Sequence, residues 1–289
     1  LTIWAKLINE EWRQFPAESD PPVHTVQRTT VNPPFRPAAM AKLDTKISNY
    51  ARKYFEDLKS RGECDLMADF ALEFPINIFL ELMGLPLDMK SVFLDWERRL
   101  IYNDDIDDVA AATRESSAYL RQAIEEKKLH PADDLLSFGI NAEMGGQKFT
   151  DNELMGFAFN LFTGGLDTVA TNIGWQFRHL AEHPEDQAYL RANPSMMPNA
   201  VEEFLRVYAA VSLFRTCVKE TEIRGVRVMP GDKVLMSTTL AGRDPSEYAK
   251  PNEVSFEHRA KHVSFGHGVH LCLGIHLARR EMRIALEEG

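Results

Sequence analysis

The feature that most restricts the fold of this chain is a helical spacing of apolar residues, which recurs in five segments along its 289 positions. Side chains that recur at intervals of three and four residues fall on one face of an α-helix, and that face must be buried against other elements. The spacing predicts helices over residues 43–58, 78–83, 109–124, 154–180 and 201–208. We therefore expect a mainly α protein.

The longest predicted helix has sequence signals at both ends. Thr150 precedes it as an N-cap residue and Glu153 follows three positions later, which is the pattern of a capping box. At the other end, Pro184 cannot continue the ladder of helical hydrogen bonds. These signals predict one helix of about thirty residues, roughly 45 Å long.

Strand signals are confined to one segment. Residues 222–237 alternate apolar and polar side chains around Pro230 and Gly231, which predicts a β-hairpin. No fixed-period repeat and no flexible linker separates this segment from the helical ones. The expected fold class is mainly α with a small β-hairpin or sheet region, in a single domain that covers residues 1–289.

Composition narrows the classes of function. A net charge of −10 disfavours nucleic acid or an anionic membrane surface as the main partner, because both require a broad basic surface. The apolar segment 154–180 contains several polar residues, so no transmembrane helix is predicted. Three cysteines, Cys64, Cys217 and Cys272, are too few for a secreted disulfide framework, which favours a cytoplasmic protein.

Cys272 differs from the other two cysteines in its surroundings. It lies in the segment Phe-Gly-His-Gly-Val-His-Leu-Cys-Leu-Gly, residues 265–274, directly before a helical pattern. The N-terminus of a helix favours negative charge, so we expect it to stabilise a thiolate and to lower the pKa of this cysteine. The glycines Gly266, Gly268 and Gly274 allow tight turns and the close approach of a flat ligand.

A second unusual segment lies inside the longest predicted helix. Residues 164–169 read Gly-Gly-Leu-Asp-Thr-Val, which places Asp167 and Thr168 in an apolar helix after two residues of low helix propensity. A buried carboxylate costs several kcal/mol unless it is paired, and a local conflict of this kind often marks a functional site. A helix kink with a capped threonine is the purely structural interpretation.

The segment 265–274 matches every defined position of the pattern Phe-Gly-x-Gly-x-(His/Arg)-x-Cys-x-Gly, and the chain thereby resembles the cytochrome P450 family. The resemblance implies a partial cytochrome P450 fold, a heme b cofactor and Cys272 as the thiolate ligand of the iron. It also implies a heme-thiolate monooxygenase of the bacterial class that includes camphor 5-monooxygenase. Cofactor contacts in this loop are expected from Phe265, Gly266, His270 and Gly274.

The same resemblance assigns roles to three further segments. Gly164 and Gly165 are expected beside the bound cofactor, and Asp167 and Thr168 are expected to relay protons to bound dioxygen. The Glu-x-x-Arg motif of Glu203 and Arg206, joined by His258 or Arg259, is expected to lock the proximal core. His24 and Arg28 lie one helical turn apart and are expected to hold a heme propionate, with support from Arg215 and His270.

The resemblance further implies the partners of the reaction. Electrons are expected from a [2Fe-2S] ferredoxin with an NAD(P)H-dependent ferredoxin reductase, docking on a basic face around Arg28, Arg279 and Arg280. The other reactants are O2 and a small apolar, terpenoid-like substrate. Its expected contacts are Trp12, Phe162, Val211 and Leu213.

Two alternatives remain open at this point. Soft donors at His267, His270, Cys272 and His276 could form a zinc site, although their spacing matches no closed site. The second alternative follows from the ends of the chain, which begins without methionine and stops inside a helical pattern. We expect a fragment that lacks N-terminal and C-terminal parts, and such a fragment could be a heme-binding sensor or a catalytically incompetent remnant.

Overall fold

The computed structural model describes residues 2–257 and 259–289, and most of these residues are helical. The helices are α1 (Ile3–Leu7), α2 (Val23–Val31), α3 (Pro37–Ala41), α4 (Asp44–Arg61), α5 (Glu73–Met83), α6 (Lys90–Ile101), α7 (Ile106–Leu129), α8 (Leu135–Asn141), α9 (Asp151–Gly165), α10 (Asp167–Glu182), α11 (Pro184–Ala192), α12 (Met197–Val207), α13 (Thr238–Ala241) and α14 (Ile275–Glu288). The strands are β1 (Glu143–Met144), β2 (Gln147–Lys148), β3 (Ser212–Thr216), β4 (Thr221–Ile223), β5 (Val226–Val228) and β6 (Lys233–Ser237). The expectation of a mainly α fold with small sheets is confirmed.

The chain divides into two compact units. The first comprises Leu1–Gly174 and Val269–Gly289, and the second comprises Trp175–Gly268. Four of the five predicted helices correspond to α4, α5, α7 and α12, although the structure extends most of them beyond the predicted ends. None of the described helices is both long enough and apolar enough to cross a membrane.

The longest predicted helix is interrupted. Its start is confirmed, because Thr150 and Glu153 form a complete capping box. The expectation of one continuous helix is wrong, because Leu166 takes backbone angles of φ −104° and ψ −68° and separates α9 from α10. The physical reason lies in the two residues before Leu166, since consecutive glycines stabilise a helix poorly.

The predicted hairpin is also wrong in its pairing. The tight turn lies at Arg224 and Gly225, which have φ values of 49° and 82° and join β4 to β5. Two successive residues with positive φ suit a two-residue hairpin turn, because their twist matches that of the strands. Strand β6 instead pairs antiparallel with β3 in a separate sheet, so the Pro230-Gly231 turn connects two sheets.

The core of the first unit is rich in aromatic side chains. Phe93 of α6 contacts Phe162 of α9 with ring centroids 5.1 Å apart. The rings of Trp96 and Phe79 also pack against the ring of Phe93. Burying an aromatic or large aliphatic side chain contributes about 1.5–3 kcal/mol. This cluster fixes the end of α9, and therefore Asp167 just after it, beside α6.

The second unit has its own smaller core. Helix α12 buries Val201, Phe204 and Leu205, and the ring of Phe204 contacts that of Phe256 at 5.4 Å. The same helix buries three charged residues, which require partners inside the unit.

Candidate functional site

The thiol of Cys272 lies just before α14. Gly274 forms the N-cap of that helix, and its backbone N–H donates to the sulfur. Burial raises the pKa of the Cys272 thiol above its ordinary value, while this N–H and the charges of Arg28 and Arg279 act in the opposite direction. The expectation of a lowered pKa is therefore wrong in net direction. It included the effect of the helix N-terminus on the thiolate but not the cost of removing that thiolate from water. A bound metal ion would reverse this balance, since a coordinating thiol is deprotonated.

Two histidine rings contact each other in a tilted arrangement in the first unit. The rings of His24 on α2 and His270 lie 4.2 Å apart between centroids. His24 is buried, and within the part of the chain that the structure describes neither of its ring nitrogens has a hydrogen-bond partner. Burial lowers the pKa of His24, as does the charge of Arg28, so its imidazole is neutral at neutral pH.

Arg28 follows one turn later on α2. Its Nε donates to Asn32 Oδ1 at 2.7 Å, and its charge acts on the Cys272 thiol. Burial lowers the pKa of Arg28 and Cys272 opposes this shift. His24, Arg28, His270 and Cys272 are therefore brought together, as the sequence predicted.

The glycines of the candidate site leave open space. A Cβ added at Gly164 or Gly274 would meet no heavy atom within 4 Å, and one at Gly165 would meet the Phe79 ring at 3.4 Å. Gly266 has a φ of 72°, a conformation that side chains rarely permit. A thiol, an unpartnered buried imidazole, a nearby guanidinium and open glycine surfaces together fit heme b, with its iron, propionates and flat ring.

Asp167 and Thr168 lie at the break between α9 and α10. Thr168 Oγ1 is 3.5 Å from Gly164 O, at the limit of a hydrogen bond. The Asp167 backbone N–H donates to Glu97 Oε1 at 2.8 Å, and the Tyr102 hydroxyl donates to Asp167 Oδ1. The sequence analysis missed Glu97 and Tyr102, because neither belongs to a motif and only the packing of α6 brings them to Asp167.

Glu97 is a buried acid without a cation. Its side chain is on α6, the residue is 4% exposed, and among the described residues it forms no ion pair. Burial first, and the charge of Asp167 second, raise the pKa of Glu97 to about 8, while the Asp167 N–H acts in the opposite direction. The pKa of Tyr102 is raised to about 12 by burial and by its bond to Asp167.

The Glu203–Arg206 pair forms as predicted in the second unit. Arg206 donates from Nε and Nη2 to both carboxylate oxygens of Glu203, at 2.8 and 2.7 Å, and each residue is almost fully buried. The remaining donors of Arg206 reach the backbone oxygens of Gly242, Pro251 and Glu253. This is a fully satisfied network that ties Gly242 and the loop at residues 251–253 to α12.

The third member expected for this pair contacts the neighbouring carboxylate. Arg259 Nη2 lies 3.1 Å from Glu202 Oε1, and the Arg259 side chain is largely exposed. His262 Nε2 contacts the other oxygen of Glu202 at 2.9 Å. The structure thus pairs Arg259 with Glu202 instead of Glu203, and His258, the alternative, lies outside the described residues.

The other residues expected in the second unit are near its sheets and loops. Arg215 is exposed on β3, and its Nη1 donates to Phe214 O at 2.8 Å. Val211 and Leu213 are partly buried at the start of that strand. The ring of Phe265 lies 5.9 Å from that of His262. Their proposed contacts with heme or substrate remain predictions.

The expected substrate residues of the first unit lie inside its core. Trp12 is 1% exposed, donates from Nε1 to Glu10 and packs against Phe159 at 4.6 Å. Phe162 is fully buried between the rings of Phe159 and Phe93. Both contribute to packing, and their contact with a substrate remains a prediction.

The zinc alternative has no geometric basis. Among the described residues, His270, Cys272 and His276 do not bring three ligand atoms within 4.8 Å of one another. His179, His183 and Asp186 do form such a cluster in the second unit. There the ring nitrogens of His179 already bond Tyr208 and Asp186, both at 2.8 Å, so the cluster is explained by internal hydrogen bonds.

Comparison with known proteins places these observations in one family. A family model described as Cytochrome P450 matches residues 82–288. The chain is 35% identical to the probable cytochrome P450 127A1 of Sinorhizobium fredii over 99% of its own length and 70% of that protein. It is 30% identical to cytochrome P450-terp of a Pseudomonas species, of which it covers 67%.

Solved structures agree with these relatives. The cytochrome P450 PksS of the bacillaene polyketide synthase of Bacillus subtilis superposes with a TM-score of 0.89 at 30% identity. That match covers 93% of this chain and 71% of the other. A mutant of P450 EryK in complex with erythromycin B gives the same TM-score at 31% identity, over 98% and 76% of the two chains.

Proposed function

The chain belongs to the cytochrome P450 family, and we propose that it hydroxylates a small apolar, terpenoid-like substrate with electrons from a [2Fe-2S] ferredoxin. Members of the family are monooxygenases that bind heme b through a cysteine thiolate. The observation that carries the proposal is the Cys272 thiol, which accepts the Gly274 N–H before α14 and lies near Arg28 and Arg279. One substrate C–H bond, O2, two electrons and two protons then give an alcohol and water.

In this proposal Cys272 is the iron ligand, and heme, when bound, supplies the activation of O2. His24 and Arg28 bind a propionate, for which a neutral buried imidazole and a guanidinium offer donors. The His270 ring packs at a tilt against that of His24 and keeps it in place. Gly164 and Gly274 leave room for a flat ring, and the positive φ of Gly266 permits a tight turn in the loop before Cys272.

Asp167 and Thr168 move protons at the break in the long helix. Thr168 Oγ1 is only weakly held by Gly164 O, so its hydroxyl would be free to donate a hydrogen bond to dioxygen once heme is present. Asp167 holds a proton-accepting carboxylate beside it, fixed by Tyr102. Thr168→Ala should therefore preserve heme binding and NAD(P)H consumption but divert oxygen to hydrogen peroxide. Undiminished hydroxylation in this variant would remove Thr168 from the proton path.

One spectrum tests the ligand. The reduced, carbon monoxide-bound protein should show the strongly red-shifted Soret band of a thiolate adduct, and Cys272→His should shift this band to the histidine type. Cys217→Ser, at a cysteine in the other unit, is the matched control and should leave the band unchanged. A histidine-type band in the unaltered protein would contradict Cys272 as ligand.

The substrate class is tested by binding. Limonene, α-terpineol and camphor form a panel of compact monoterpenes, and a substrate that displaces water from the iron changes the heme spin state. We expect at least one member to produce a spin-state shift. A shift produced only by long-chain fatty acids would contradict the terpenoid-like class.

The electron donor is tested on the basic face. Arg279 belongs to the expected basic face, and its charge acts on the Cys272 thiol, so it is the position chosen for charge reversal. Arg279→Glu should slow electron transfer from ferredoxin and reduce its dependence on ionic strength. Lys59→Glu, on the exposed surface of α4, is the control. Equal rates in the two variants would place the docking surface elsewhere.

A further inference from the structure

The last turn of α6 and the residue after it hold Asp167 at two points. The Leu166 break ends α9, and the N–H of Asp167, the first residue of α10, finds its acceptor on Glu97 Oε1 at 2.8 Å. The Tyr102 hydroxyl donates to the carboxylate of the same residue. The main chain and the side chain of Asp167 are thus fixed separately, and we call Glu97 and Tyr102 the Asp167 clamp.

The clamp holds no cation. Among residues 2–257 and 259–289, neither Glu97 nor Asp167 forms an ion pair with a lysine, arginine or histidine. Arg99, two positions after Glu97, forms ion pairs with Asp108 and Glu115 of α7. The titratable group whose charge acts on Glu97 is Asp167 of α10, and the charge of Glu97 acts in turn on Tyr102 after the end of α6.

Two neighbouring carboxyl groups without a cation cannot both be ionised at low cost. Burial and the charge of Asp167 raise the pKa of Glu97 to about 8, so Glu97 is largely protonated at neutral pH. Below that pH it adds no negative charge beside Asp167. Above it, a second negative charge appears within the clamp and repels the carboxylate that Tyr102 holds.

We propose that Glu97 and Tyr102 are positioning residues for Asp167, and that a neutral Glu97 is needed for efficient coupling of proton delivery to hydroxylation. Coupling here means the fraction of NAD(P)H electrons that end in hydroxylated product. The inference rests on the proposed role of Asp167 in proton delivery. It differs from a purely structural helix cap, because a cap depends on the Glu97 oxygen and not on its charge.

The first test is a pH profile of coupling, with the member of the monoterpene panel that gives the largest spin-state shift as the probe. In the unaltered heme-loaded protein, coupling should fall about threefold between pH 7 and pH 9. Glu97→Gln keeps the acceptor oxygen and cannot ionise, so its coupling should match the unaltered protein at pH 7 and stay constant to pH 9. Glu115→Gln, a similar change on α7, should keep the decline.

The second test does not depend on activity. Hydrogen exchange of the Asp167 amide should be protected in the unaltered protein and in Glu97→Gln, because both present an oxygen to that N–H. Glu97→Leu removes the acceptor and should accelerate this exchange at least about tenfold. Tyr102→Phe should leave the amide protected but lower coupling at every pH, because it releases only the carboxylate.

The outcomes separate the inference from the proposed function. A flat profile in the unaltered protein, an unchanged decline in Glu97→Gln, or unchanged amide exchange in Glu97→Leu would each overturn the inference. If Asp167→Asn and Thr168→Ala leave coupling intact, the proposed proton path fails first. If those two variants lose coupling while the clamp variants behave like the unaltered protein, the inference alone fails.

Discussion

Each unit of this chain buries a glutamate to the same extent, and the two differ in their partners. Glu203 and Glu97 are both 4% exposed. Glu203 accepts two hydrogen bonds from Arg206 and a third from the Ser255 N–H. Glu97 accepts one backbone N–H and faces the carboxyl group of Asp167. Burial alone therefore does not decide the charge of a carboxyl group, because the donors around it do.

This difference distinguishes a network that stabilises the fold from one that can gain or lose a proton. The Glu203–Arg206 pair joins two backbone segments to α12 and has no unused donor on the arginine, so it resists change. The Glu97–Asp167 pair keeps a proton that can leave near physiological pH, which suits a site that handles protons. Four predictions test the contrast.

The largest effect is expected at Arg206. Arg206→Ala leaves the buried Glu203 charge without a partner, and it should lower the free energy of unfolding by about 3–5 kcal/mol. Urea unfolding measures this loss. Arg178→Ala is the control, because its partner Glu182 and the arginine itself are both exposed and such pairs contribute less than about 1 kcal/mol. Equal losses in the two variants would abolish the contrast.

The next effect concerns Glu97 and depends on pH. Its folded-state pKa is raised, so the folded chain keeps a proton that the unfolded chain loses above about pH 4.3. Stability from this group is therefore complete at low pH and declines as pH rises to about 8. Glu97→Gln removes the decline and should be more stable than the unaltered protein by on the order of 3 kcal/mol at pH 8, with no gain at pH 4.

Unfolding titrations at several pH values measure the Glu97 effect. Glu115→Gln provides the matched control, since the pKa of Glu115 is lowered by its bond to Arg99 and the sign of its contribution is opposite. A constant difference between Glu97→Gln and the unaltered protein from pH 4 to pH 8 would mean that folding does not shift the pKa of Glu97.

A third prediction concerns the buried imidazole of His24, whose ring nitrogens have no hydrogen-bond partner among the described residues. His24→Leu removes the donor proposed for a heme propionate, and the rate of heme loss should rise about tenfold, which corresponds to about 1.4 kcal/mol. His130→Leu changes an exposed histidine at the end of α7 and should leave the rate unchanged. Equal rates for both variants would remove His24 from the propionate site.

The smallest effect is expected at Tyr102. Tyr102→Phe deletes one hydrogen bond to a carboxylate near the surface and should lower the free energy of unfolding by about 1 kcal/mol. Tyr119→Phe removes a hydroxyl from α7 without touching Asp167 and should cost less. A loss of several kcal/mol at Tyr102 would indicate a structural network like that of Arg206.

Local patterns allowed much of the site to be predicted. The capping box at Thr150, the helix that carries Glu203 and Arg206, and the heme-loop motif around Cys272 all follow from spacing and short motifs, whereas the grouping of His24 with His270 was implied only by the family resemblance. The first three features depend on residues one or two turns apart or on a contiguous loop. They can therefore be predicted from the sequence before the packing is known.

Features that join distant segments could not be predicted in this way. The hairpin between residues 222 and 237 was wrong because strand partners depend on which sheet a strand joins, and β6 pairs with β3. The net shift of the Cys272 pKa was wrong because desolvation depends on everything that surrounds the sulfur.

The sequence by itself determined the family, a mainly helical chain and the residue types that the site requires. Only the tertiary structure decided that the long helix breaks at Leu166 and that Glu97, seventy positions away from Asp167, accepts its N–H. The physical reason is that a sequence motif reflects contacts between residues that are only a few positions apart in the chain. The charge of a buried acid is set instead by the donors, the neighbouring charges and the solvent exclusion that packing provides.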